Sequence, residues 1–160
     1  MNKITIIAAM DKNNGIGYKG KLPWKSLEDL EFFKTVTTGH TVIMGRNTWD
    51  SLPSAVQPLP NRENIVVTSQ PLKGAKRADS LSQAIALADP NAQIFIIGGA
   101  QLYKEALNIA DHMLLTLVEG DYQTDVQFPP FDSTKWVQQW QTKSFVASPA
   151  IVISSYRRAK

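Results

Sequence analysis

Apolar and polar positions along the chain fall into two rhythms. Short runs rich in β-branched residues at Ile4–Met10, 41–44, 64–68, 94–97 and 113–118 read as strands. Segments 27–36, 81–88 and 101–108 repeat their apolar residues at helical spacing and read as helices. Strand and helix in alternation predict an α/β fold with a mainly parallel, twisted central sheet flanked by helices. The pattern changes near the end: 135–145 and 151–158 are extended, no helix lies between them, and Ala147, Ser148, Pro149 and Ala150 join them. That predicts an antiparallel C-terminal hairpin at the sheet edge. With no repeat, low-complexity tract or long linker, residues 1–160 are expected to form a single domain.

One position breaks the helical pattern of 27–36. Phe32, Phe33 and Val36 share one side, Glu28, Glu31 and Lys34 the other, and Asp29 falls inside the apolar arc. A carboxylate facing a core is costly unless it is hydrogen-bonded or takes up a proton. Two readings fit. Ser26-Leu27-Glu28-Asp29 matches a capping box, in which the acid reaches back to a backbone N–H near solvent. Alternatively the acid sits in a cleft, with a raised pKa, and does chemistry.

Composition narrows the field. At 43% hydrophobic and 19% charged, the chain can build a core, which argues against disorder and against a membrane span. The apolar run at 6–10 is too short for a signal sequence or a spanning helix. The absence of cysteine excludes disulfides, a thiolate nucleophile and a zinc-thiolate site, and makes the cytoplasm the expected compartment. His40 and His112 lack metal-ligand spacing, so no metal is expected, and both read as loop or strand-end residues. The net charge of +3 is scattered, densest at Lys73, Lys76 and Arg77 and at Arg157, Arg158 and Lys160. Such a surface would draw an anionic small molecule, whereas no basic stripe with interleaved aromatics points to nucleic acid.

Candidate chemistry gathers at the strand ends. In "TVIMGRNTWDSL" Gly45 follows a strand and Arg46, Asn47 and Thr48 open a short helix; in "IFIIGGAQLYKEAL" Gly98 and Gly99 do the same. Each junction is an anion cradle or an ordinary tight turn, and neither is a GxGxxG. "NIVVTSQ" ends a strand in Thr68 and Ser69, hydroxyls suited to a further phosphate, with Lys73, Lys76 and Arg77 following. Three such ends on the carboxyl edge of one parallel sheet point to a phosphorylated dinucleotide. Pro-rich loops interrupt the chain at 53–60 and 129–130. The loop 11–23, "DKNNGIGYKGKLP", is long and glycine-rich, as expected of a functional lid.

"IIAAMDKNNGIGYKGKLPW", an acid on the next helix, "VIMGRNTWDSL", "PLPNRENIVVTS" and "IIGGAQLY" follow in that order. This ordered set, spanning essentially the whole chain, resembles bacterial-type dihydrofolate reductase. The resemblance implies NADPH-dependent hydride transfer to C6 of 7,8-dihydrofolate, with protonation at N5. Asp29 would hold the pterin 2-amino group and N3, with Trp24, Leu22 and Tyr103 beside the reaction and Thr116 behind the acid. Ile7, Ala9, Leu30, Phe33, Leu52 and Ile97 would line the pockets, Arg62 would clasp the folate α-carboxylate and Lys34 attract the glutamate tail. Cofactor positions would be Ala9, Ile16, Gly17, Gly45, Arg46, Asn47, Thr48, Thr68, Ser69, Gly98, Gly99, Ala100, Gln101 and Leu102, with Arg46 near the 2′-phosphate. Gly98-Gly99 matches a family site with a non-proline cis peptide.

Three departures stand out. Ala100 replaces a third glycine, Lys25-Ser26-Leu27 lacks a proline, and no clear strand lies between Ser69 and Leu81. The last leaves Lys76 and Arg77 as alternative partners of the 2′-phosphate. A monomer is expected. The alternatives are a same-fold reductase of another pterin-like or riboflavin-precursor substrate, and a non-catalytic nucleotide-binding module.

Overall fold

A computed structural model describes residues 2–144 and 148–160; Phe145 and Ala147, assigned above to the hairpin, lie outside the described residues. Strand β1 (Ile4–Met10) lies in the interior of the sheet, and its side chains divide by parity. Ile6, Ala8 and Met10 join one core cluster, Ile7 a second. The same division runs through β3 (Thr41–Gly45), β4 (Glu63–Val67) and β6 (Ile94–Ile96): Ile43, Ile65, Ile94 and Ile96 face one side, Val42, Met44, Val66 and Phe95 the other. Such strands, apolar on both faces, need cover on both sides. On the first face the cover is α3 (Leu81–Leu87) and α4 (Ala100–Ala106), through Leu81, Ala84, Leu102 and Ala106. On the second it is α1 (Leu27–Thr37) and α2 (Arg46–Ser51), through Phe32, Phe33, Val36 and Trp49.

With β5 (Lys76–Ala78), β7 (His112–Val118), β9 (Trp136–Ser144) and β10 (Ile151–Arg158), the main sheet runs β5-β4-β3-β6-β1-β7-β10-β9. Pairing is parallel from β5 to β7 and antiparallel at β10 and β9, as the sequence predicts. The carboxyl ends of six strands therefore share one edge, where an open α/β sheet offers its crevice.

Two parts of the pattern escape the sequence reading. β5 is a strand where none was clear: of its residues only Ala78 is buried, while Lys76 and Arg77 are exposed, so no apolar alternation marks it. β2 (Gly15–Gly17) lies inside the glycine-rich loop and pairs with β8 (Val126–Gln127), a long-range contact between two very short strands. His40 stands in the turn before β3 and His112 opens β7, both as expected. Among the described residues, no helix is long and apolar enough to cross a membrane and no cluster of three or more His, Cys, Asp or Glu could hold a metal.

Candidate active site

A cleft of about 620 Å³ opens at the carboxyl edge, between α1, α2, the start of α4 and the glycine-rich loop. Asp29 reaches it from the first turn of α1. Ser26 caps that helix, its hydroxyl accepting the Asp29 N–H at 3.1 Å, so the backbone of residue 29 is held while its side chain is free to turn inward. The side chain does turn inward: Asp29 is 9% exposed. Burial raises its pKa, partly offset by the Thr116 hydroxyl beside it. Thr116, buried on β7, lies in register between Ala9 of β1 and Ile153 of β10. Among the described residues lining the cleft, Asp29 is the only carboxylate. Both readings of the acid thus meet in one turn, with the cap supplied by Ser26 and the carboxylate left for the cleft.

Tyr103 faces the same space from α4. Its hydroxyl donates to the Ile7 carbonyl at 2.8 Å, and burial, with the Asp29 charge adding to it, raises its pKa strongly. Leu22 and Leu30, 49% and 52% exposed, form apolar lips at the opening.

At the other end of the cleft, two helices begin without a side-chain cap. Gly45 precedes α2 and Gly99 precedes α4, so their first-turn N–H groups have no side-chain cap to accept from them. The two turns touch, since the Gly45 N–H donates to the Gly98 carbonyl at 2.8 Å. Gly98 has φ +124°, and a Cβ there would stand 3.3 Å from both the Thr48 and the Tyr103 hydroxyl, so only glycine suits it. The Gly98-Gly99 peptide is cis, as the resemblance implies. The glycine-rich loop covers this end: Asp11 Oδ1 accepts the Asn13 and Gly15 N–H groups at 2.9 and 2.8 Å, and Asp125 Oδ2 accepts the Lys19 N–H at 3.0 Å.

Of the residues singled out from sequence, Ile7, Ala9, Ile16, Gly17, Leu22, Asp29, Leu30, Phe33, Gly45, Arg46, Asn47, Thr48, Leu52, Ile97 and Thr116 line the cleft, as do Gly98 to Tyr103. Five do not. Trp24 is buried behind the cleft, its indole N–H without an acceptor among the described residues. Arg62 stacks on Phe33 at 5.8 Å and donates to Thr37 Oγ1 and the Pro60 carbonyl. Lys34 is exposed on the outer side of α1. Thr68 and Ser69 stand at the end of β4, outside the lining. Arg77 donates to the Thr68 carbonyl at 3.0 Å, while Lys76 turns to Glu63, as successive strand residues must. Arg46 pairs with Asp50 and the Pro71 carbonyl, both at 3.1 Å.

The sequence reading missed Ala8, Gly20, Lys21, Ser51, Leu59 and Val126 in the lining. Ser51 stands one helical turn beyond Thr48, a spacing that could have found it. Val126 arrives only through the β2–β8 pairing, and Leu59 because buried Asn64 bonds both its N–H and its carbonyl. Nothing local announces either.

A family model described as dihydrofolate reductase matches residues 3–153. The chain is 45% identical over 141 residues to the dihydrofolate reductase of Buchnera aphidicola subsp. Acyrthosiphon pisum, covering 87% of this chain and 84% of that one. Against the dihydrofolate reductase of Neisseria meningitidis the identity is 43% over 151 residues, 92% of each chain. Among solved structures, dihydrofolate reductase from Enterococcus faecalis complexed with NADP(H) and RAB-propyl superposes with a TM-score of 0.89 at 31% identity, over 99% of this chain and 97% of that one. A reductase of another pterin-like or riboflavin-precursor substrate, or a non-catalytic module, gives way to this agreement, and the chain belongs to the dihydrofolate reductase family.

Proposed function

We propose that the protein reduces 7,8-dihydrofolate to 5,6,7,8-tetrahydrofolate with NADPH, supplying one-carbon metabolism. The observation that carries this reading is the lone buried carboxylate of Asp29 in the cleft. It accepts hydrogen bonds from the pterin 2-amino group and N3, which fixes the ring, and its raised pKa favours a tautomer that is easier to protonate at N5. Thr116 supports the carboxylate. Trp24 orders a water beside the pterin through its indole N–H, and Leu22 excludes bulk solvent above it. Tyr103 stays neutral and held on Ile7, packing between the two rings with Ile7, Ala9 and Ile97. Leu30, Phe33 and Leu52 line the arm that carries the aryl group. Arg62, oriented by Thr37, clasps the α-carboxylate, and exposed Lys34 adds a screened attraction to the tail.

The residues present fit NADPH. When bound, the cofactor supplies the hydride that adds to C6. Uncapped N–H groups after Gly45 and Gly99 suit the pyrophosphate, with Asn47, Thr48, Ala100, Gln101 and Leu102 around it. Ile16 and Gly17 cover the nicotinamide side. Arg46, Thr68 and Ser69 take the 2′-phosphate, and Arg77 rather than Lys76 completes that set, because it alone of the two lies on Thr68. The enzyme works in the cytoplasm as a monomer, without nucleic acid or metal, a reading supported by the cysteine-free sequence and the scattered charge.

The test is the absorbance decay of NADPH on mixing with dihydrofolate, with NADH run in parallel. Rapid decay with NADPH and slow decay with NADH is expected. Tight NADPH binding without decay would overturn the proposed reaction.

A further inference from the structure

The loop after β7 carries a tyrosine for which the chemistry above has no use. Tyr122 lies edge-on to Trp24, with ring centroids 5.3 Å apart and planes at 60°. The cluster around the indole otherwise comprises Val118, Ile151, Ile153, Ala9 and Phe32, all on strands or helix α1. Tyr122 is the member contributed by a loop, and two constraints hold its ring. Its hydroxyl donates to the Glu119 carbonyl at 3.0 Å. The ring also occupies the place of a side chain at residue 120: a Cβ there would stand 2.7 Å from Cε2 and 2.9 Å from the hydroxyl oxygen. Gly120 moreover has φ +128°, so glycine is required twice over at this position, by conformation and by space.

The Trp24 N–H is buried and has no acceptor among the described residues, so no protein hydrogen bond sets the direction of the indole. Packing sets it, and an edge-to-face contact between aromatic rings is directional where aliphatic contacts are not. We infer that Tyr122 is a positioning residue for Trp24, fixing the indole so that its N–H keeps the orientation that protonation of the substrate requires. The inference rests on the role given to Trp24 above.

Three variants test it: Tyr122→Ala, Tyr122→Phe and Trp24→Phe. One readout is the indole ¹⁵N–¹H resonance of Trp24 in the substrate-free protein, assigned by its loss in Trp24→Phe; the other is kcat and KM for dihydrofolate across pH. Tyr122→Ala should shift that resonance and lower kcat about tenfold, with KM changed by less than about twofold. Tyr122→Phe keeps the ring over Gly120 and should retain most of kcat. In the Trp24→Phe background, Tyr122→Ala should cost nothing further, because both act on one group. An unmoved resonance, or losses that multiply, would overturn the inference. A slow Trp24→Phe beside a fast Tyr122→Ala defeats the inference alone. A fast Trp24→Phe defeats the reading of Trp24, and the role of Tyr122 falls with it.

Discussion

Helices α1 and α3 open with the same pattern, Ser26-Leu27-Glu28-Asp29 and Ser80-Leu81-Ser82-Gln83. In both, the serine hydroxyl accepts the N–H three residues on, at 3.1 and 3.0 Å. The fourth side chains then part company. Gln83 reaches back past the cap to accept the N–H of Asp79, one residue before it, a variant of the capping box, whereas Asp29 turns away into the cleft. The leucines invert as well: Leu81 is 5% exposed and docks α3 on the core, while Leu27 is 85% exposed. The first turn of α1 thus buries its acid and exposes its leucine, contrary to the usual preference. A capping motif fixes a backbone; the tertiary surroundings decide where its last side chain goes. On α1 that side chain is released from capping and faces the cleft.

The largest effect should come from Asp29→Asn. The Ser26 cap acts on the backbone N–H of residue 29, which asparagine retains, so folding and NADPH binding should survive. Turnover at neutral pH should fall by about 10² or more and recover in part as the pH drops, measured by NADPH absorbance decay. Stability should move the other way. Burial raises the Asp29 pKa above its ordinary 3.8, so the folded state holds the proton more tightly than the unfolded chain. Below that ordinary value both states are protonated and burial of the acid carries no charge penalty. As pH rises through the folded pKa, the wild type must bury a charge that the neutral amide of the variant does not carry. The melting temperature of the variant should therefore exceed that of the wild type at pH 7, and the gap should close toward pH 4. A gap independent of pH would mean that folding leaves the Asp29 pKa unchanged, and a variant less stable than the wild type at pH 7 would mean that the carboxylate acts as a cap.

How far the sequence could decide this is seen at particular residues. Ile4–Met10 reads correctly because a strand apolar on both faces announces itself in any window. Asp29 is conspicuous for a related reason, as a carboxylate inside an apolar arc. Its neighbour on β7, Thr116, is linked to it only by the ordered resemblance, since nothing in the local pattern of β7 singles out that threonine. β5 went unseen because exposed Lys76 and Arg77 carry no periodicity, and its pairing with β4 is what aims Arg77 at Thr68. Val126 and Leu59 enter the lining through a long-range strand pair and through the Asn64 side chain, neither of which leaves a mark on the segment concerned.

Removing each serine sharpens the comparison at smaller amplitude. Ser80→Ala, at an exposed cap, should cost about 0.5–1 kcal/mol in denaturant unfolding and leave kcat and KM unchanged. Ser26 is 6% exposed, so Ser26→Ala strands a buried N–H and should cost more, about 1–2 kcal/mol. It also frees the turn that aims Asp29, and KM for dihydrofolate should rise by roughly threefold. Equal stability losses with no change in KM would mean that Ser26, like Ser80, is a fastener and nothing more.

The smallest effect belongs to Gln83→Ala, which opens the box on α3 that α1 never closes. The side chain is exposed and its bond to the Asp79 N–H competes with water, so the loss should stay below about 1 kcal/mol. Residue 79 also bonds Arg77, which raises the question of whether the site would notice. Arg77 is held separately by the Thr68 carbonyl at 3.0 Å, so KM for NADPH should stay within about twofold of the wild type. A larger rise would show that the α3 box braces Arg77 through Asp79. The two helix starts would then differ not in whether the fourth side chain serves the site, but in whether it does so directly, as proposed for Asp29, or through an intermediary.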